Sequence, residues 1–243
     1  MWRRLRHLGI SESGTGSSCS AQAQAPTLVP NTRRCFYLAV EFLVLFAGLP
    51  LLLYTQRHAL SGMVAPVLLV LAAGCTTLLW WDQGFDRGQL WNRTAFREHV
   101  ARTLRWFIPG AGVAVIAFAV LRPDLLLTFP YVHTNVWVII MVTYPIVSVY
   151  PQEVIFRAFL FHRYHALFPG RRSKIAASSA AFGMAHIIFA NWAAPLMTAV
   201  IGVQFARTYA NSESTLQAAL EHVLWGCFAF TVGLGWYVYS GAI

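Results

Sequence analysis

Long apolar runs recur along this chain and limit what it can fold into. A helix needs about 20 mostly apolar residues to cross the hydrocarbon core of a bilayer. Inside the bilayer every backbone polar group must be bonded within the protein, so such runs form helices. The sequence therefore predicts an all-α, polytopic transmembrane helix bundle of about seven to eight spans. The runs lie at 36–54, 61–81, 104–121, 134–160, 175–191, 193–209 and 215–239, with a candidate interfacial turn at Leu125–Val132.

The composition agrees with a membrane protein and argues against a nucleic-acid partner. Of the 243 residues, 57% are hydrophobic and 11% are charged, whereas about a quarter of the residues of a soluble domain are charged. The net charge of +9 comes mostly from Arg residues in short segments between the apolar runs. This distribution is typical of membrane topology. We therefore expect the lipid bilayer as a partner, and no nucleic acid.

The basic residues also predict an orientation. If the N-terminus is cytoplasmic, 15 of the 18 Lys and Arg residues fall in inside segments, and only Arg57 and Arg122 fall in outside loops. Because short cytoplasmic loops carry an excess of Lys and Arg, this count favours a cytoplasmic N-terminus. We predict an integral protein of a bacterial inner membrane, whose C-terminus is extracytoplasmic if there are seven spans.

The chain is interpreted as one membrane domain that follows a basic tail. Residues 1–34 are rich in Arg, Ser and Ala, contain one acid, Glu12, and lack the apolar core of a secretory signal. Their composition also allows a transit peptide, but a disordered cytoplasmic tail is favoured. The transmembrane helical domain is then 35–243, with its chemically informative part at 134–240.

Ionisable residues within the apolar runs are the candidates for function. Glu153 and Arg157 lie in one run, and His186 and His222 lie in two later runs. Ionisable side chains at membrane depth are costly, normally face the protein interior and mark functional sites. Glu153 precedes Arg157 by four residues, so the pair shares one helix face in the favourable order. The rise of a helix places Glu153, His186 and His222 at similar depths, ~10–18 Å from the cytoplasmic surface.

Each of these residues also has a structural interpretation. Glu153 and Arg157 could form an ion pair that only locks helix packing, and either histidine could make only an interhelical hydrogen bond. His162 and His165 have the spacing of metal ligands, but they border an Arg-rich loop and are better explained as a solvated face. Glu41, in the first apolar run, is interpreted as a structural acid.

Three short motifs stand in order along the later runs. Together they resemble the EExxxR, FxxxH and HxxxN motifs of the CAAX-protease and bacteriocin-processing (CPBP) family of intramembrane proteases, which includes lysostaphin-resistance-like proteins. The resemblance covers about residues 134–240. The motifs here are Gln152-Glu153-x-x-x-Arg157, Phe182-x-x-x-His186 and His222-x-x-x-Gly226.

The resemblance implies a hydrolase, an intramembrane endopeptidase that cleaves a peptide bond of a membrane-associated protein or peptide. Some relatives remove the last three residues of prenylated CAAX proteins, and others process peptides or sort surface proteins. The implied catalytic residues are Glu153, Arg157, His186 and His222. Glu153 would activate the attacking water, and Arg157 would hold Glu153 in place.

A metalloprotease is a second way to use the same residues. Two neutral imidazoles and a carboxylate match a three-ligand catalytic zinc site with one open position. The predicted zinc ligands are therefore His186, His222 and Glu153. The residues do not decide between this zinc site and a mechanism that depends on the glutamate alone.

Two departures from the family motifs keep other functions open. Gln152 stands where the family has its first Glu, to which water activation is generally assigned, and we transfer that role to Glu153. Gly226 stands where the family has Asn. Both departures favour an alternative, a non-catalytic membrane chaperone or immunity protein that retains the pocket. A proton-coupled transporter is a further alternative, because buried Glu, Arg and His also form proton relays.

Reporter fusions test the predicted orientation. A reporter fused after Ile243 should be extracytoplasmic, and one inserted within 163–172 should be cytoplasmic, because the basic loop is predicted to lie inside. Alkaline phosphatase activity of the two fusions in cells is the measurement. A cytoplasmic C-terminus would mean that an additional span, near 125–133, crosses the membrane.

Overall fold

Helices make up most of the described chain, as the apolar runs predict. The computed structural model describes residues 32–60 and 62–235, apart from the side chain of residue 95. Within these ranges there are eight helices and no strand, so the predicted all-α bundle is confirmed. The helices are α1 (Thr32–Thr55), α2 (Val64–Trp81), α3 (Arg93–Leu121), α4 (Thr128–Val132), α5 (Thr134–Arg163), α6 (Arg171–Ala185), α7 (Ala193–Ser212) and α8 (Thr215–Val232).

Four of these helices are long and apolar enough to cross a membrane: α1, α2, most of α3 and α5. Between 11% and 28% of their most apolar windows is buried inside the protein. Most of their apolar surface is therefore available to lipid, as a spanning helix at the edge of a bundle requires. The chain is an integral membrane protein.

The remaining predicted spans correspond to α6, α7 and α8. These helices are shorter or more polar than the other four because they carry polar side chains that face the bundle interior, such as Glu221 and His222. Helix α6 packs closely along α7 at Gly183, where a Cβ atom would lie 2.7 Å from Ala199 Cβ. Small residues allow membrane helices to approach in this way. The end of the last predicted span, from residue 236, lies outside the described residues.

Several helix boundaries differ from the predicted runs, and the start of the third span differs most. The third span was expected to start at residue 104, but α3 begins at Arg93. Its first turns carry exposed Arg side chains, so the helix extends beyond the apolar part that hydropathy detects. At the predicted interfacial turn the chain forms the short helix α4, which follows Leu127 in a left-handed conformation (φ 59°).

The predicted N-terminal tail lies almost wholly outside the described residues. Of residues 1–34, only the last three are described, and they already belong to α1. Helix α1 is attached to the end of α5 by Glu41, which accepts hydrogen bonds from Arg163 at 2.9 and 2.8 Å and from the Tyr164 hydroxyl at 3.0 Å. Glu41 thus makes the structural contact that the sequence suggests.

Helix α5 carries the first motif and is not a regular α-helix. Its segments Pro145–Val149 and Val154–Phe159 are π-helical. Proline cannot donate a backbone hydrogen bond, so Pro145 and Pro151 interrupt the regular pattern. π-helical segments widen a helix locally and are frequent at functional sites. Gln152 and Glu153 lie between these two segments, in the four-residue α-helical stretch Tyr150–Glu153.

Candidate active site

The predicted residues Glu153, Arg157 and His222 are in direct contact. The His222 Nδ1 atom lies 2.8 Å from Glu153 Oε1, and the Arg157 Nε atom lies 3.2 Å from Glu153 Oε2. Glu153 and Arg157 are fully buried, and His222 is 5% exposed. Glu153 of α5 therefore contacts Arg157 on its own helix and His222 on α8. The similar depths of Glu153 and His222 in the sequence are consistent with the second contact.

The charge of Arg157 is further stabilised by aromatic rings. Its guanidinium carbon lies 4.7 Å from the centre of the Phe182 ring and 5.8 Å from that of Phe205. Aromatic faces attract cations, most strongly where water is excluded. The two rings come from α6 and α7, so Arg157 connects α5 to both helices.

His186 contacts this cluster through Phe182 instead of touching Glu153 directly. The Phe182 ring centre is 4.7 Å from that of His186 and 5.4 Å from that of His222. The His186 Nδ1 atom lies 2.7 Å from the Phe182 carbonyl oxygen. Because a carbonyl oxygen only accepts, Nδ1 carries the hydrogen, and the neutral ring has its free lone pair on Nε2.

A cavity of about 310 Å³ lies beside these residues. Its wall is mainly apolar and is formed by α1, α2, α5 and the 3₁₀ turn His186–Phe189, together with Ala185 of α6 and Phe230 of α8. Its polar side chains lie on α5 and at the start of that turn, so one part of the wall offers hydroxyl, amide and imidazole groups. They are Thr143, Tyr144, Ser148, Gln152 and His186.

Gln152 and Glu153 face different surroundings. Neighbouring residues on a helix point about 100° apart, and here Gln152 lines the cavity while Glu153 contacts Arg157 and His222. The Gln152 Nε2 atom donates to Ser148 Oγ at 2.7 Å. Its Oε1 atom is buried and accepts no hydrogen bond from the described residues. An unpaired buried oxygen of this kind costs about 1–3 kcal/mol, so a side-chain movement that gives Oε1 a partner would be favourable.

The arrangement does not fit the predicted three-ligand zinc site. Both ring nitrogens of His222 lie within hydrogen-bond distance of protein groups, Nδ1 of Glu153 and Nε2 of the Tyr144 hydroxyl at 3.1 Å. Across the described residues, no group of three His, Cys, Asp or Glu side chains could hold a metal ion. Zinc stays a prediction of the sequence alone.

Three polar residues of the cavity wall, Thr143, Tyr144 and Ser148, were not predicted. Tyr144 and Ser148 precede Gln152 by eight and four residues, and the three line the cavity together. Polar residues at this spacing in an apolar run are a signal that the sequence contains.

Glu221, next to His222 in the sequence, does not take part in this site. Its carboxylate accepts hydrogen bonds from Gln204 and Thr208 of α7 and so joins α7 to α8.

A comparison with protein families agrees with these motifs. Residues 133–228 match the family model described as type II CAAX prenyl endopeptidase Rce1-like. The matched segment begins just before α5, includes α6 and α7 and ends within α8, so it contains each of the residues predicted to form the site. No curated protein and no solved structure matches the chain. The family match confirms the resemblance noted in the sequence.

Removal of Arg157 should destabilise the protein strongly. Arg157→Ala leaves the carboxylate of Glu153 buried without its cation, which typically costs about 3–5 kcal/mol. The matched control is the double variant Glu153→Gln/Arg157→Met, which removes both charges and should lose much less. Thermal unfolding of the detergent-solubilised variants is the measurement. If the single variant is as stable as the double variant, the ion pair does not have this role.

Proposed function

We propose that this chain, whose residues 133–228 belong to the Rce1-like family of type II CAAX prenyl endopeptidases, hydrolyses a peptide bond of a membrane-associated protein or peptide in the cavity beside α5. One observation supports the proposal most directly: the side chains of His186 and Gln152 line the same cavity. His186 is a neutral imidazole with a free ring nitrogen. Gln152 has a buried amide oxygen that has no hydrogen-bond partner among the described residues.

In the proposed mechanism, Gln152 and His186 activate the attacking water together. The Gln152 side chain turns its buried Oε1 toward the cavity, and this oxygen accepts one hydrogen of the water and so orients it. A neutral amide can accept a hydrogen bond but cannot take up a proton. His186 Nε2 takes the other hydrogen as a general base while the water oxygen forms its bond to the scissile carbonyl carbon. The C–N bond then breaks, and His186 returns the proton to the leaving nitrogen, as in other hydrolases that use one histidine for both steps.

Glu153 is a positioning residue in this scheme. The sequence assigns water activation to Glu153, but its carboxylate contacts Arg157 and His222 and does not line the cavity. It fixes the orientation of the His222 ring, because its carboxylate accepts a hydrogen bond from His222 Nδ1. The proposed site thus has a general base, His186, and a buried charged group, Glu153, and it needs no second carboxylate at position 152.

The cavity wall suggests the class of substrate. Most of its surface is apolar, and the side chains that α1 and α2 contribute are mainly large and aliphatic or aromatic, including Leu45, Phe46, Leu49, Leu68 and Leu71. An apolar wall favours a substrate with an apolar group near the scissile bond. With the family description, this supports a lipid-modified C-terminal peptide of the CAAX type as the substrate.

Hydrolysis of lipid-modified peptides tests the proposal. The purified protein in lipid nanodiscs is incubated with prenylated and unprenylated C-terminal peptides, and the products are identified by mass spectrometry. His186→Ala should lower kcat by ~10²–10⁴-fold, as expected for loss of a general base. His165→Ala is the matched control, because His165 is exposed and lies outside the cavity. Tight binding of these peptides without any cleavage by the wild type would favour the non-catalytic chaperone or immunity protein instead.

Metal removal gives a separate test of the mechanism. Because the donor atoms of His186, His222 and Glu153 do not converge, activity should survive exhaustive chelation. Elemental analysis of the active protein should then find no stoichiometric zinc. The zinc mechanism would be restored by one bound zinc per chain that is lost in both His186→Ala and His222→Ala, since a three-ligand site does not survive loss of a ligand.

A further inference from the structure

The glycine at position 226 makes room for a tyrosine from another helix. A Cβ atom at Gly226 would overlap Tyr144 Oη and would lie 2.5 Å from the Cε1 atom of that ring. Such distances are far inside van der Waals contact, so a side chain at position 226 and the present position of Tyr144 exclude each other. The space that a longer residue on α8 would occupy is filled by Tyr144 of α5.

The tyrosine brings a polar group to the same place. Tyr144 Oη lies 3.1 Å from His222 Nε2, and His222 precedes Gly226 by one helical turn on the same face of α8. The Tyr144 ring packs edge-on against the rings of His222 and Phe230, with centroid distances of 6.0 and 5.3 Å. Its hydroxyl is therefore held beside the imidazole at the point that a polar side chain from position 226 would reach.

Tyr144 also belongs to the wall of the cavity in which hydrolysis is proposed. It lies on the same face of α5 as Ser148 and Gln152, and all three line the cavity together with His186. Glu153, Arg157 and His222 are almost completely buried and do not line it. Tyr144 is thus the residue that joins the buried Glu153–His222 pair to the cavity.

The Tyr144 hydroxyl can serve two acceptors in turn. It has one hydrogen, which it can turn to either side. Turned toward α8, the hydroxyl donates to His222 Nε2, 3.1 Å away. Turned the other way, it donates into the cavity that Tyr144 lines. A cavity oxygen that becomes negative attracts this hydrogen, since hydrogen bonds to ionised groups are stronger than those to neutral ones.

We infer that Tyr144 is a catalytic residue that donates its hydroxyl hydrogen to the carbonyl oxygen of the scissile bond as that oxygen becomes negative. The inference rests on the proposed hydrolysis and adds to it the group that stabilises the oxyanion. A donor that is already in place where charge develops needs no reorganisation during the reaction, and it has its largest effect in a site that excludes water.

A packing role for Tyr144 makes a different prediction. Phenylalanine fills the same volume and keeps the edge-on ring contacts, but it lacks the oxygen. If Tyr144 only fills the space beside Gly226, Tyr144→Phe should behave as the wild type. If Tyr144 donates to the oxyanion, the loss should appear in kcat and should leave KM and thermal stability nearly unchanged.

Kinetics of Tyr144→Phe in nanodiscs form the first experiment. With the peptide that the wild type cleaves best, kcat should fall by ~10²–10³-fold, the usual effect of removing one oxyanion donor. Binding of a phosphinate analogue of that peptide, which carries the tetrahedral geometry and a negative oxygen, should weaken, while binding of the cleaved product should not. A kcat within about threefold of the wild type would overturn the assignment of Tyr144 and leave the proposed function standing.

A compensating pair of substitutions forms the second experiment. Tyr144→Ala removes the hydroxyl and empties the space beside Gly226. Tyr144→Ala/Gly226→Asn then puts an amide donor into that space one turn from His222, and should recover at least about tenfold in kcat over Tyr144→Ala. Tyr144→Ala/Gly226→Leu is the matched control, because it fills the space without a donor and should recover nothing.

The outcomes separate the two proposals. Equal recovery by Asn and Leu would mean that the space needs only to be filled, and Tyr144 would not be a catalytic residue. Absence of hydrolysis by the wild type and by every variant would overturn the proposed function itself and the role of Tyr144 with it. Hydrolysis by the wild type, loss in Tyr144→Phe and recovery only with Asn would support both.

Discussion

A buried ion pair between Glu153 and Arg157 determines how the later helices can pack. Two charges taken out of water are costly, and their attraction offsets that cost only with close contact and further partners. Here the acid accepts from His222, and the guanidinium lies on the rings of Phe182 and Phe205. These partners come from α5, α6, α7 and α8. Displacing any one helix would leave a charge or a ring contact unsatisfied, so the pair fixes the positions of all four.

The same pair explains why adjacent residues of α5 have different roles. The side chain of Glu153 points into the protein interior because it contacts Arg157 and His222 there. The side chain of its neighbour Gln152 therefore points in another direction and lines the cavity. The π-helical segments on either side of this stretch change the register of α5 relative to a regular helix. As a result Tyr144, Ser148 and Gln152 line one wall, while the charged groups stay behind it. An ionic cluster supports the site, and neutral groups form its surface.

The sequence predicted the helical class and most helix positions, because apolar runs are strong local signals. It grouped Glu153, Arg157, His186 and His222 in one site, and in the structure His186 contacts the other three only through Phe182. It did not predict that α3 begins at Arg93, because exposed basic turns do not differ in hydropathy from a loop. The contact between Tyr144 and Gly226 was not predicted for another reason. This contact exists only because α5 and α8 are adjacent, and no pattern along a single chain shows which helices touch.

The two departures from the family motifs are best understood together. A Glu at position 152 would place a second carboxylate beside Glu153, and in a low dielectric two such charges repel strongly. With Gln152 the buried charges are one acid and one Arg, and the cavity wall is neutral. In the proposed mechanism the base is the neutral imidazole of His186, and the donor is the neutral hydroxyl of Tyr144. A side chain at position 226, such as the Asn of the family motif, would meet Tyr144 of α5, so the glycine is what allows Tyr144 to lie beside His222. The two departures therefore act on one wall of the cavity: Gln152 keeps it without a carboxylate, and Gly226 makes room for its tyrosine.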